Sequence, residues 1–185
     1  MAGEAKSQPG SAYFLVDGKG VTIRTTLAVI VDNEPGVLAR VIGLFSGRGY
    51  NIESLTVAEV DHTAHTSRIT IVTSGTPAVI EQIKAQLGRL IPVHRVVDLS
   101  QDKPGIEREM AMVKVAGQGE KRVEALRLSE AFRARVIDTT HASFVFEITG
   151  APSKIDAFVE LMRPLGLVEV SRTGIVAISR GAEAM

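Results

Sequence analysis

The order of hydrophobic patterns along the chain constrains its fold more than any other feature, because the same order occurs twice. Residues 26–31 (Thr-Leu-Ala-Val-Ile-Val) form a short β-branched run of the kind that makes a buried strand. The Asp32-Asn33-Glu34-Pro35-Gly36 segment breaks it. Val37, Leu38, Val41, Ile42 and Phe45 then recur at helical spacing and predict one apolar helix face. Residues 51–60 and 68–73 predict two strands joined by a turn at Asp61-His62-Thr63. Thr76 and Pro77 suit the cap and first position of a second helix, with a stripe of Val79, Ile80, Ile83, Leu87 and Leu90. Pro92 stops it. Val93, Arg95, Val97 and Leu99 then alternate with His94, Val96 and Asp98 as a fourth strand.

After a Pro- and Gly-containing stretch the order recurs. Residues 107–116 predict a strand, Gly117-Gln118-Gly119 a turn, and residues 120–135 a helix with a less regular stripe. Strands follow at 136–140 and 143–149. A helix carries Ile155, Phe158, Val159 and Met162, and strand character returns at 167–170 and 174–178. Strand–helix–strand–strand–helix–strand is the split βαβ, ferredoxin-like order: a four-stranded antiparallel sheet with two helices on one face. The expected fold is therefore α+β, with two βαββαβ units. The expected boundaries are a disordered N-terminal tail at 1–22, a first unit at 23–100, a linker at 101–106 and a second unit at 107–181. Ile30 and Val72 fall off the face shared by their neighbours, so both faces of the first sheet carry apolar groups. The face of each sheet that its helices leave bare needs a cover, supplied from within the chain or by another chain.

Composition narrows the chemistry. Val and Ile together number 37 of 185 residues, enough β-branched side chains to build two small sheets. The absence of Cys excludes disulfides, thiolate metal sites and a Cys nucleophile. Equal numbers of basic and acidic residues argue against a general nucleic-acid binder. No run of 18 apolar residues suggests a membrane span, and the first ten residues lack the apolar core of a signal peptide, so a cytoplasmic location is expected. The motifs of serine hydrolases, phosphate-binding loops, dinucleotide-binding turns and zinc metalloproteases do not occur. His62 and His65 fit solvated turn residues better than a metal site, and no catalytic residue is expected.

One segment has binding chemistry. Asp32-Asn33-Glu34-Pro35-Gly36-Val37-Leu38 leads from a strand into a helix. A helix N-terminus offers free N–H groups and partial positive charge, a natural partner for a carboxylate. Asn33 has donor and acceptor atoms, Gly36 permits close approach, and Val37 and Leu38 have the chemistry of an aliphatic pocket. Two readings fit: an amino-acid site, or an Asn cap followed by Pro in the first turn.

The run from Asp32 to Ala58, and above all residues 40–55 (Arg-Val-Ile-Gly-Leu-Phe-Ser-Gly-Arg-Gly-Tyr-Asn-Ile-Glu-Ser-Leu), resembles the small regulatory subunits of acetolactate synthase, also called acetohydroxyacid synthase. Further matching stretches include Ser67-Arg68-Ile69-Thr70-Ile71, Glu107-Arg108-Glu109, Lys154-Ile155-Asp156-Ala157-Phe158 and residues 168–174, so the resemblance spans roughly residues 26–181. The resemblance implies an N-terminal ACT domain, the amino-acid-sensing form of this fold, and an ACT-like C-terminal domain. It implies a chain that activates a separate large catalytic subunit and confers feedback inhibition by valine in branched-chain amino-acid synthesis. Thiamine diphosphate, Mg and FAD are then expected in the catalytic subunit, with no cofactor in this chain. The implied effector site lies across a homodimer of ACT domains. Asn33, Gly36, Val37 and Leu38 come from one chain and Asn51 and Ile52 from the other, and Ala58 stands where the family's feedback sensitivity changes. Arg40, Glu53 and Arg68 are nearby charges that suit either contact with the catalytic subunit or solvated surface.

Overall fold

The computed structural model describes residues 21–101 and 105–183. The tail expected over 1–22 falls outside these except for Val21 and Thr22, as do residues 102–104 of the expected linker. The first unit consists of β1 (Ile23–Asp32), α1 (Val37–Gly47), β2 (Ser54–Asp61), β3 (Thr66–Gly75), α2 (Pro77–Leu87) and β4 (Val93–Asp98). Its strands lie in the order β2-β3-β1-β4, all antiparallel. The second unit repeats this with β5 (Gly105–Val115), α3 (Glu120–Ala131), β6 (Arg135–Thr139), β7 (Phe144–Gly150), α4 (Pro152–Met162) and β8 (Leu167–Arg172), in the order β6-β7-β5-β8. The α+β fold of two βαββαβ units is as the sequence predicts.

Each unit packs its helices on one sheet face. In the first, Leu27, Val29, Val31, Ile69 and Ile71 meet Val37, Val41 and Phe45 of α1 and Ile80, Ile83 and Leu87 of α2. In the second, Val113, Phe146 and Ile148 meet Ile155, Phe158 and Met162 of α4, with Phe146 and Phe158 edge to face at 6.0 Å. Every one of these side chains is essentially withdrawn from water, contributing about 1.5–3 kcal/mol each.

Four features go beyond local pattern. First, Gly105 and Ile106, assigned to the linker from sequence, already belong to β5. Second, the strand expected at 174–178 forms as β9 (Val176–Ser179), and it pairs with Gly105–Arg108 of β5, a partner that local pattern does not name. β9 lays Ala177 against Ala28, Val97 and Leu99 on the face of the first sheet that the helices leave bare. The cover that both-faced strands require thus comes from within the chain. Third, the register of β4 against β1 shifts so that Arg95 faces Ile30 while Val93 faces Val31. His94 is bulged out, so Val93 packs with the helix-side core and Val97 with the opposite face, although strict alternation puts them together. The third helix also stops at Ala131, short of residue 135, because the chain turns through Arg133 at φ 55°.

A buried charge sits where β5 leaves its pairing with β9. The Glu109 side chain is 3% exposed and receives a fork from Arg172, Nε to Oε1 at 2.8 Å and Nη2 to Oε2 at 2.5 Å, while Nη1 donates to Asp156 at 2.7 Å. These bonds, Glu109's first, hold the Arg172 guanidinium well above its ordinary pKa. Arg172→Met would strand the Glu109 carboxylate. Removing one partner of a fully buried pair costs about 3–5 kcal/mol, which the partial exposure of Arg172 reduces to about 2 kcal/mol. Urea unfolding of the variant is expected to show that loss; an unchanged midpoint would show that water already solvates the pair.

Candidate amino-acid site

The turn after β1 is held from both sides. The Asp32 N–H donates to the Pro92 carbonyl at 2.9 Å, and the Asn33 N–H donates to the His65 carbonyl at 2.7 Å. His94 Nε2 lies 2.6 Å from Asp32 Oδ1. The α2–β4 connection and the β2–β3 turn therefore clamp residues 32 and 33 between them. Gly36, at φ 87°, is the N-cap of α1, and no side chain caps the helix. Only glycine takes that backbone conformation without strain, whereas a Cβ there would touch nothing within 4 Å. Conformation, not crowding, is what requires glycine in the free chain. The Asn-cap reading does not hold: Pro35 precedes the cap, and the first helical residue is Val37. The exposed Asn33 amide bonds to no other side chain among the described residues. The result is an uncapped helix start with an available amide beside it, suited to an anion that also needs a hydrogen-bonding neighbour.

The two flanking apolar residues separate in role. Val37 is 4% exposed with its side chain in the core, while Leu38 is 37% exposed and borders the turn. The side chain of Val37 is thus committed to the core, although the sequence assigns it to a pocket lining.

Asn51 and Ile52 lie elsewhere in the chain. Thr73 Oγ1 donates to the Asn51 carbonyl at 2.6 Å, and Thr73 is opposite Thr25 in the β1–β3 ladder. Asn33 follows Asp32, which is opposite Thr66. Seven residues of extended strand separate these levels, about 24 Å. Ile52 is half-buried against the first core, and Ala58 is exposed on the edge strand β2, opposite Arg68. One chain therefore gathers Asn33, Gly36 and Leu38, and holds Asn51 and Ile52 at the far end of the same sheet.

Sequence patterns miss His65, Pro92 and His94 as supports of the turn. Two of the three act through backbone carbonyls, which every residue has. The His62–His65 spacing marks only the turn itself; His62 pairs with Glu59 at 2.8 Å. Among the described residues, no group of three or more His, Asp or Glu side chains is placed to hold a metal ion, and no helix is long and apolar enough to cross a membrane.

Residues 27–95 match the family described as the small subunit-like ACT domain of acetohydroxyacid synthase, and residues 108–181 match the family described as the small subunit of acetolactate synthase. A probable acetolactate synthase small subunit from Archaeoglobus fulgidus is 45% identical over 86% of this chain and 98% of its own. The isozyme 3 small subunit of Escherichia coli is 46% identical over 88% of this chain and 99% of its own. The chain belongs to the acetolactate synthase small-subunit family. The crystal structure of the small subunit from Thermotoga maritima superposes with a TM-score of 0.77 at 38% identity, covering 87% of this chain and 99% of that one. The first match lies within the β1–β4 unit and contains the turn at 33–36, and the second runs from within β5 past β9.

The β2–β3 turn gives a pH test of how firmly this site is held. Asp61 Oδ1 accepts the N–H groups of Ala64 and Thr63, at 2.9 and 2.8 Å, and these bonds hold its carboxyl below the ordinary 3.8. A lowered folded-state pKa stabilises the fold fully above the unfolded value, and the contribution is lost as pH falls through the lowered one. Asp61→Asn is therefore expected to flatten the fall in urea midpoint below about pH 4. Equal acid sensitivity in variant and parent would rule out this role.

Proposed function

We propose that this small subunit activates the thiamine-diphosphate catalytic subunit of acetolactate synthase and makes it sensitive to valine. In this reading the catalytic subunit carries thiamine diphosphate, Mg and FAD and joins two pyruvates, or pyruvate and 2-oxobutyrate. The small subunit acts in the cytoplasm and contributes no cofactor or catalytic group.

The observation that carries the valine assignment is the separation of Asn33 from Asn51. β2 is an edge strand, with Val57 and Val60 exposed along it. If two copies join β2 to β2 about a two-fold axis, the strands run antiparallel. The start of β2 in one copy then lies at the level of the end of β2 in the other, and Asp61 and Asp32 share that level through Thr66. The partner's Asn51 and Ile52 arrive at the same end of the joint sheet as Asn33 and Gly36. A ligand there meets an open helix start for its carboxylate, two amides for its ammonium, and Leu38 and the partner's Ile52 for a branched side chain.

Asn33→Ala and Asn51→Ala are each expected to weaken valine binding by about 10- to 100-fold, the loss of one charge-assisted hydrogen bond. Calorimetry of the dimer reads this directly. Mixing the two variants gives the sharper test. A mixed dimer has one site lacking both amides and one site with both intact. Statistical exchange makes half the dimers mixed, so about a quarter of sites should recover parental affinity. No recovery on mixing would show that both amides serve one chain's own site. A purified chain that fails to stimulate added catalytic subunit would overturn the regulatory assignment.

A further inference from the structure

The stretch that ends in Asn51 and Ile52 continues directly into a seam with the second unit. Ser54 Oγ accepts the Ile175 N–H at 2.8 Å, and Thr56 Oγ1 donates to the Ile175 carbonyl at 3.0 Å. Both polar atoms of one backbone residue are thus held by two side chains of β2. Gly174, at φ 83°, allows this approach: a Cβ there would lie 2.9 Å from Ser54 Oγ and 3.0 Å from Thr56 Cγ2. Beside this clamp runs a charge bridge. Glu53 accepts from Ser74 and pairs with Arg24 at 3.4 Å, and Arg24 reaches Glu107 at 3.3 Å. Glu107 also accepts from the Thr26 hydroxyl.

What these groups hold is mechanically distinctive. Ile175 leads into β9, and β9 pairs with Gly105–Arg108 of β5. The same β5 then runs on, without interruption, as the central strand of the second sheet, pairing with β7 from Glu109 and with β8 from Ala111, both as far as Val115. One strand therefore rests on the first sheet at its start and organises the second at its end. A cleft of about 520 Å³ opens next to the seam, with Arg24, Glu53 and Ser54 on one wall and Glu109, Asp156 and Arg172 on the other. At this place open space, not packed side chains, separates the two walls.

We propose that the Ser54–Thr56 clamp on Ile175, with the Glu53–Arg24–Glu107 bridge, is the coupling element that turns valine occupancy into movement of the C-terminal unit. This inference rests on the valine reading of the 33–36 and 51–52 site and specifies how that site regulates. Ordering of residues 51 and 52 by a ligand fixes the start of β2. The clamp passes that displacement to β9, and the β5–β9 pair carries it to the second sheet. Two seatings of the β5–β9 pair across the cleft are the alternative states that the ligand biases.

The test uses the complex of small and catalytic subunits, with Thr56→Val, Glu107→Gln and the double variant. Thr56→Ser retains the hydroxyl and serves as the rescue. Calorimetry measures valine binding to the small subunit, assay of the complex measures activation and inhibition, and amide exchange locates the valine response. The variants are expected to bind valine within about twofold of the parent and to activate the catalytic subunit, while saturating valine inhibits at least about fivefold less. Thr56→Ser should inhibit as the parent does. In the parent, valine should slow exchange around residues 33–41, 51–54, 105–108 and 175–179. In the double variant, only the first two regions should respond. Parental inhibition and protection at 175–179 in the double variant would overturn the coupling role while leaving the site intact. Loss of valine binding in the variants would assign Thr56 and Glu107 to the site itself and equally overturn it. A parent that binds no valine would overturn the reading of the site, and the coupling with it.

Discussion

A sheet has two faces, and two helices cover one. Alternation sends every second side chain of β1, β3 and β4 to the uncovered side, where Ala28, Val72 and Val97 are nonetheless buried. The rest of the architecture follows from satisfying that face. It draws β9 back across the first sheet from the far end of the chain, recruits the first four residues of β5 to pair with it, and thereby joins the two units along a seam rather than by a tether. Hydroxyls on the same face finish the contact. Thr26, Ser54 and Thr56 lie on the seam side of their strands, and each bonds to a group of the second unit. The equivalent face of the second sheet, also expected to need a cover, receives no such strand among the described residues. It presents Lys114 paired with Glu169 and Arg135 paired with Glu147, charges that remain at ease in water.

Local pattern made the element order legible, because a helix stripe and a strand alternation are each written within about ten residues. The stripe of Ile155, Phe158, Val159 and Met162 lies buried as its spacing implies. What pattern could not carry is pairing between residues far apart. The bulge at His94 is a mismatch between β1 and β4, and neither strand alone contains it. The second duty of β5 depends on Ile178 and Ala177, some 70 residues later, which by themselves read only as another short strand. The candidate site divides in the same way. The Asp-Asn-Glu-Pro-Gly string was visible as binding chemistry, and the resemblance of residues 40–55 supplied its family. That Gly36 rather than Asn33 caps α1, and that carbonyls of His65 and Pro92 fix the turn, depends on backbone geometry to which side-chain identity gives no clue.

Under the valine reading proposed above, the placement of Asn33 and Asn51 at opposite ends of one sheet bears on why the site would need two chains. A site made by one chain reports only on that chain's local fold. A site shared by two chains is complete only in one relative pose, so ligand affinity and quaternary geometry become the same quantity. The edge strand β2 suits both requirements. Its outer backbone groups are free to pair, and its first residues carry the seam to the second unit. In the dimer proposed above, joining sheets at β2 and clamping Ile175 through β2 would put subunit association and inter-unit contact on one eight-residue strand.

The energies involved are of matching size. If the ligand is valine, as proposed, its eight heavy atoms at about 1 kcal/mol each give binding no better than roughly micromolar. Allosteric coupling takes only part of that, typically about 1–3 kcal/mol. The clamp and bridge consist of neutral hydrogen bonds worth about 1 kcal/mol each and partly exposed ion pairs worth less. A seam built from buried apolar residues alone would resist so small a ligand. The buried apolar cluster where β9 meets the first sheet is Ala28, Val97, Leu99 and Ala177, and two of the four are alanines. Small side chains at the contact and polar groups around it keep the second unit attached, yet within reach of the few kilocalories that an amino acid can supply.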